Sequence, residues 1–202
     1  MSTLLVQLED LVRRQFGDAP LAAARSAAAA RASGPSTLDR ARDFLASVAA
    51  VRGRSAEEVF VWAGSELAAA LLRDLPALTD DHDSARTFLL QVHAAAPVAV
   101  AAIVPGAPHP ECWADLMDAE TVRVGFDGPV ELWWVAEGML RAVCAHYGER
   151  ADVQRVDAPP ALPNRRLLDV RVRPERRTVS KTPPAGKERR SGGLFGLGRP
   201  WR

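Results

Sequence analysis

Tyrosine occurs once in this chain, as Tyr147, and cysteine twice, as Cys112 and Cys144. The two cysteines lack C-x-x-C spacing and no secretory leader precedes them, so the sequence predicts a reduced cytoplasmic setting rather than a disulfide framework. Long apolar runs are also missing. The longest, Ala94 to Val104, is too short to cross a bilayer as a helix and is interrupted by Pro97. There is no Gly-x-Ser-x-Gly elbow, no phosphate-binding glycine loop and no His-Glu-x-x-His, so the chain is not expected to be an enzyme. With one tyrosine and no aromatic face interleaved with its basic residues, specific nucleic-acid recognition is not expected either.

What is present is 202 residues, 48% hydrophobic and 25% charged, enough for one domain with a sizeable core. The net charge of +1 hides an uneven distribution. Residues 174–202 hold eight basic and two acidic side chains, leaving 18 basic and 23 acidic in residues 1–173. The basic stretch carries Pro183-Pro184, Ser191-Gly192-Gly193 and few packable residues, a composition that does not offset its own ordering entropy. Residues 174–202 are therefore read as a disordered basic tail behind a domain spanning 1–173. The tail ends in Leu194, Phe195, Leu197 and Trp201 spaced by glycines, as in a short docking peptide or a weak contact with an anionic membrane.

Within the body, Leu4, Leu5, Leu8, Leu11, Val12 and Phe16 recur at helical spacing before Gly17. Alanine propensity predicts a helix over Leu21 to Ala32. Ser36 with Asp39 opens a third, facing inward through Leu38, Ala41, Leu45 and Val48. Ser55 and Glu58 form a capping box at the start of a fourth, with Phe60, Ala63, Gly64, Leu67 and Leu71 on one face. Asp83 is the expected N-cap of a helix carrying Ala85, Phe88, Leu89, Val92 and His93. Beyond Pro105 come strand-like pieces at 111–116 and 121–126, an amphipathic helix from Val130 to Tyr147 and alternating segments at 151–156 and 166–172. The order predicts an α+β fold: a helical N-terminal lobe followed by a small antiparallel sheet with one long helix.

His93 is the residue of most chemical interest. A lone imidazole on an apolar, alanine-rich helix is either a core histidine with a satisfied ring or an axial ligand for something flat and hydrophobic. His82, flanked by Asp81 and Asp83, reads as part of a solvated loop; His109 and His146 show no partner pattern. Trp62 and the pair Trp133-Trp134 suit either a pocket wall or the core.

The run Val6-Gln7-Leu8-Glu9-Asp10-Leu11 through Phe16-Gly17-Asp18, the turn Arg52-Gly53 into the helix bearing Trp62-Ala63-Gly64, and Phe88-Leu89 followed by His93, Pro105-Gly106-Ala107 and Pro110 resemble the heme nitric oxide/oxygen-binding domain family. These are sensor modules of soluble guanylate cyclases and stand-alone bacterial gas sensors. The resemblance covers about residues 1–173. It implies a heme b held between two lobes with His93 as the iron ligand, lined by Phe88, Leu89 and Pro105, and an open face for a diatomic gas; with no distal tyrosine donor in the expected helices, nitric oxide is expected over oxygen. It further implies a separate signalling partner such as a histidine kinase or a cyclic-dinucleotide enzyme. Counting back from the proline, the ligand slot falls at Ala96 or Pro97, one turn beyond His93. The family's Tyr-x-Ser-x-Arg signature, which clamps the porphyrin carboxylates, would fall near Phe126-Asp127-Gly128-Pro129-Val130 and is absent there, which leaves Arg123 as the candidate carboxylate partner. The alternative is the same fold without heme, an interaction module whose tail docks a partner.

Overall fold

The computed structural model describes residues 3–31, 34, 36–108, 111–162 and 164–174. The expected tail lies, apart from Pro174, outside these residues, as do His109 and Pro110. The described chain runs α1 (Thr3–Phe16), α2 (Asp18–Arg31), α3 (Thr37–Arg52), α4 (Ala56–Asp74), α5 (Ala85–Leu90), α6 (Val92–Ile103), β1 (Cys112–Leu116), β2 (Thr121–Asp127), α7 (Val130–His146), β3 (Glu149–Val156) and β4 (Arg165–Pro174). This is the expected α+β order: helices first, then an antiparallel sheet in the order β1-β2-β4-β3 with α7 between its strands.

Side chains rather than composition alone set the helix starts. Ser36 accepts from the N–H of Asp39, and Ser55 and Glu58 cap one another reciprocally. At α5 the cap is Ser84 rather than Asp83: its hydroxyl accepts from the N–H of Thr87, whose own hydroxyl serves the Ser84 N–H. The carboxylate of Glu149, at the start of β3, accepts the Ala85 N–H at 2.8 Å and fixes α5 to the sheet. The single helix expected through Phe88 and His93 is two. The chain breaks at Gln91, whose N–H is taken by Phe88 and Leu89 at the end of α5, and α6 restarts at Val92.

Two apolar clusters form. The N-terminal one holds Leu8, Leu11 and Val12 of α1, Phe44, Leu45 and Val48 of α3, and Val59, Phe60 and Ala63 of α4. In α3, Phe44 takes the inward place expected of Leu38, which sits in the first turn and is exposed. The second cluster joins Leu72 of α4, Phe88 and Leu89 of α5, and Leu140, Val143 and Cys144 of α7 to the inner face of the sheet, Val122, Val124, Leu168 and Val170.

The clusters become one body where α4 crosses α7. A Cβ on Gly64 would collide with the carbonyl of Val135, and one on Gly138 with the carbonyl of Val61. The two backbones are therefore in van der Waals contact, and the Ser65 hydroxyl donates to the Gly138 carbonyl at 3.0 Å. Among the described residues no helix is long and apolar enough to cross a membrane.

Two predictions follow from this packing. Gly64→Ala and Gly138→Ala should each lower the unfolding free energy by about 1–3 kcal/mol, because neither backbone can yield to a methyl group; urea midpoints within 0.5 M of wild type would show that the helices are not in backbone contact. Cys144 is fully buried, and burial, reinforced by Glu149, pushes its thiol from an ordinary value near 9 up to about 12. The folded state thus holds this proton more tightly than the unfolded chain, and the associated stability, complete below pH 9, is lost as pH rises towards 12. Alkylation at pH 8 should therefore spare Cys144 until the protein unfolds, as mass spectrometry of the labelled peptide would show.

Candidate functional site

Helix α6 is composed of apolar residues throughout except for His93, yet none of its residues is buried. A helix apolar on every side is ordinarily enclosed. Its ends are tied to different cores: Val92 and Ala95 pack against the C-terminal cluster, and Ile103, with Val104 just beyond it, against the N-terminal cluster. The side of α6 turned to the body holds Val92, Ala96, Ala99, Val100 and Ile103, all half-buried, while Ala94, Val98 and Ala101 face out. Pro97 has no N–H to give the carbonyl of His93 four residues before it, which loosens the helix at that turn.

His93 lies in the first turn of α6 at the margin of the inward side. It is exposed and makes no hydrogen bond or ion pair among the described residues, so it is not a satisfied core histidine. Ala96, the slot counted back from the proline, faces inward but offers only a methyl group. Phe88 and Leu89 are core: they are 6% and 0% exposed in the C-terminal cluster. Phe88 also meets the rings of His82 and Tyr147. Pro105 is exposed in the turn that ends α6, ahead of Gly106 at φ 78°. The geometry thus sets His93 and Pro105 at the surface and Phe88 and Leu89 beneath it.

Arg123 sits mid-sheet. Its cross-strand neighbours are Asp115 on β1 and Asp169 on β4, and its guanidinium grips Asp169 through two bonds of 2.6 and 2.7 Å. Its hydrogen bonds to Asp169, supplemented by the charge of Asp115, raise its pKa further. Arg123 is therefore a rung of a charge ladder on the outer face of the sheet, not a group held ready for a foreign carboxylate.

Two arginines that sequence reasoning passed over lie beside the segment where the clamp signature is missing. The β2–β4 register sets Arg166 opposite Phe126 and Arg165 opposite Asp127. Arg165 turns to the outer face, pairing with Asp127 at 3.3 Å and lying over the ring of Trp113, which in turn covers Gly125. Arg166 turns inward, its guanidinium carbon 5.5 Å from the ring centre of Trp133 on α7. The indole N–H of Trp133 donates to the Leu167 carbonyl at 3.0 Å and fixes the ring. The sequence shows the Arg165-Arg166 pair, but only strand register brings it to this corner.

A second charged group joins the lobes. Arg155 of β3 donates to Glu57 of α4 at 2.8 Å and to the buried Glu137 of α7 at 2.6 Å, and Arg141 donates to the other oxygen of Glu137. The hydrogen bond from Arg155 holds the Glu57 carboxyl below its ordinary range.

Among the described residues no group of three or more histidine, cysteine, aspartate or glutamate side chains is placed to hold a metal ion. Among the described residues two open surface cavities, of about 250 and 220 Å³, lie at α1–α3 and at the base of α5, and α6 lines neither. Beside α6 the described residues offer one exposed imidazole and an apolar helix of which no residue is buried, chemistry of the kind an iron porphyrin would use. It fits no metal site built from protein ligands alone.

No protein-family model matches the sequence, and no curated protein matches it. The fold, however, is found among solved structures. An H-NOX protein from S. oneidensis in its Fe(II)NO ligation state superposes with a TM-score of 0.69 at 15% identity, covering 86% of this chain and 99% of that one. The unliganded Fe(II) H-NOX protein from K. algicida gives 0.69 at 13%, covering 85% and 96%. A Tt H-NOX variant gives 0.64 at 14%, covering 86% and 94%. The chain has the H-NOX fold, at an identity that marks it as divergent.

Because His93 is exposed and Leu89 is core, His93→Ala should change folding stability by no more than about 0.5 kcal/mol, while Leu89→Ala should cost about 2–5 kcal/mol. Denaturation midpoints check the contrast, and a large loss in His93→Ala would place that ring in the core after all.

Proposed function

We propose that this chain, built on the H-NOX fold, is a heme-dependent sensor of a diatomic gas rather than a catalyst, in which His93 would hold the iron. The observation that carries the reading is α6: an apolar helix without one buried residue, bearing a single imidazole that nothing else engages. When bound, an iron porphyrin would supply an open coordination position for a small gas. The chain's own part is to hold and to transmit. His93 presents a ring nitrogen from a helix whose two ends rest on the two cores, so a pull on that ring is carried to both. Pro97 and the break at Gln91 let α6 tilt as a unit between α5 and the turn at Gly106.

Nitric oxide is favoured over oxygen. Bound oxygen profits from a hydrogen-bond donor, and the chain's one phenol, Tyr147, already donates to the Thr79 carbonyl. The output is read by a separate protein, a histidine kinase or a cyclic-dinucleotide enzyme. Two cysteines that form no disulfide suit a cytoplasmic setting.

Protein purified after hemin supply and reduced should show a Soret band, lost or shifted in His93→Ala and restored towards wild type by free imidazole. An unchanged spectrum in the variant removes His93 as ligand, and wild-type protein that takes up no hemin under reducing conditions ends the cofactor reading.

A further inference from the structure

The chain leaves the described residues at Pro174, which strand register sets opposite Glu149. Glu149 turns to the α5 side of the sheet, where its carboxylate takes the Ala85 N–H. Tyr147, two residues before it, donates to the Thr79 carbonyl and so brings the loop 80–83 to the same end of the molecule. Asp80, Asp81 and Asp83 are exposed there and form no ion pair among the described residues. The nearby cations are placed otherwise. Arg150 and Arg173, opposite one another in the register, belong to the other face of the sheet, and Arg86 and Arg171 donate to the Ala119 carbonyl and to Glu120.

From the acidic loop α5 leads to α6, whose outward side lacks the polar residues that a solvent-facing helix carries. Ala94, Val98, Ala101, Ala102 and Pro105 recur there at helical spacing and all are exposed, Val98 by 50%. Residues 175–202 repeat the order of these surfaces: first Arg176, Arg177, Lys181, Lys187, Arg189 and Arg190, then Leu194, Phe195, Leu197 and Trp201. Residues 175–193 span about 25 Å as a coil and up to about 60 Å extended, whereas α5 and the first half of α6 together measure about 20 Å. The apolar end therefore reaches α6 with chain to spare.

We propose that the C-terminal segment docks on its own domain, its basic residues passing over Asp80, Asp81 and Asp83 and its apolar end covering the outward side of α6 at Val98. Tethering makes weak contacts count, because an end held this close is present at an effective concentration on the order of millimolar. The proposal does not rest on the heme reading, which draws on the inward side of α6.

The test is disulfide capture in the full-length chain as purified, with no hemin added. Val98→Cys/Phe195→Cys is compared with Val6→Cys/Phe195→Cys, Val6 being an exposed valine of α1. The bonds are mapped by mass spectrometry, which sets apart those formed through Cys112. The Val98 pair should close within one chain about 10-fold faster than the Val6 pair. Adding Asp80→Asn/Asp81→Asn/Asp83→Asn, or about 1 M salt, should slow that closure about 2- to 5-fold. As a second measurement, Leu194→Ser/Phe195→Ser/Leu197→Ser should speed amide hydrogen exchange in α6 about 3- to 10-fold and leave α1 unchanged. Equal closure of the two pairs, bonds formed only between chains, or closure indifferent to both charge and salt overturns the proposal. So does exchange in α6 that ignores the serine variant, even where the same variant loses binding to anionic vesicles.

Discussion

The crossing of α4 and α7 at Gly64 and Gly138 is the constraint on which the rest of the molecule hangs. Each glycine sits against a carbonyl of the other helix, so the separation of the two axes is set by backbone rather than by side chains. Each of the two helices serves both cores. Phe60 and Ala63 of α4 belong to the N-terminal cluster and Leu72 to the C-terminal one; Trp134 and Val135 of α7 lean on the first, while Leu140, Val143 and Cys144 build the second. The Ser65 hydroxyl bond to the Gly138 carbonyl and the Arg155 bridge from Glu57 to Glu137 fasten the same two helices.

Helix α6 is the second path between the lobes, and it differs in kind. It is hung by its ends, with Val92 and Ala95 on one core and Ile103 on the other, and its middle is nowhere enclosed by protein. A helix so mounted responds to force applied at one turn, and the turn bearing His93 is also the one whose carbonyl faces proline instead of an N–H donor.

Much of this architecture was legible in the sequence because short-range rules govern it. The stripe from Leu4 to Phe16, the reciprocal cap of Ser55 and Glu58, and the alternation along β3 and β4 are patterns of period 3.6 or 2 that need no tertiary information. The errors fell where local rules compete. Both Asp83 and Ser84 are good N-caps, and the hydroxyl of Thr87 decides for serine. The break at Gln91 lies inside an apolar stretch with no glycine or proline to announce it. At the site, periodicity could single out His93 but not say that it is exposed. Nor could it separate Phe88 and Leu89, which are core, from residues that border α6. Arg123 attracted attention by its position near the missing signature, yet its partner Asp169 lies 46 residues away, and the nearness of Arg166 to Phe126 is equally a matter of register.

Glu57, Glu137, Arg141 and Arg155 form a knot of two negative and two positive charges drawn from α4, α7 and β3, with Glu137 at its buried centre. Its balance has an evolutionary corollary. Loss of Glu137 takes from Arg141 and Arg155 the carboxylate they share, and loss of Arg155 leaves the buried Glu137 to Arg141 alone, whereas exchange of the inner residues together for apolar ones of similar volume leaves nothing stranded. Descendants of this chain should therefore keep the quartet whole or discard its inner members in concert, and a lineage caught halfway would carry a compensating substitution nearby.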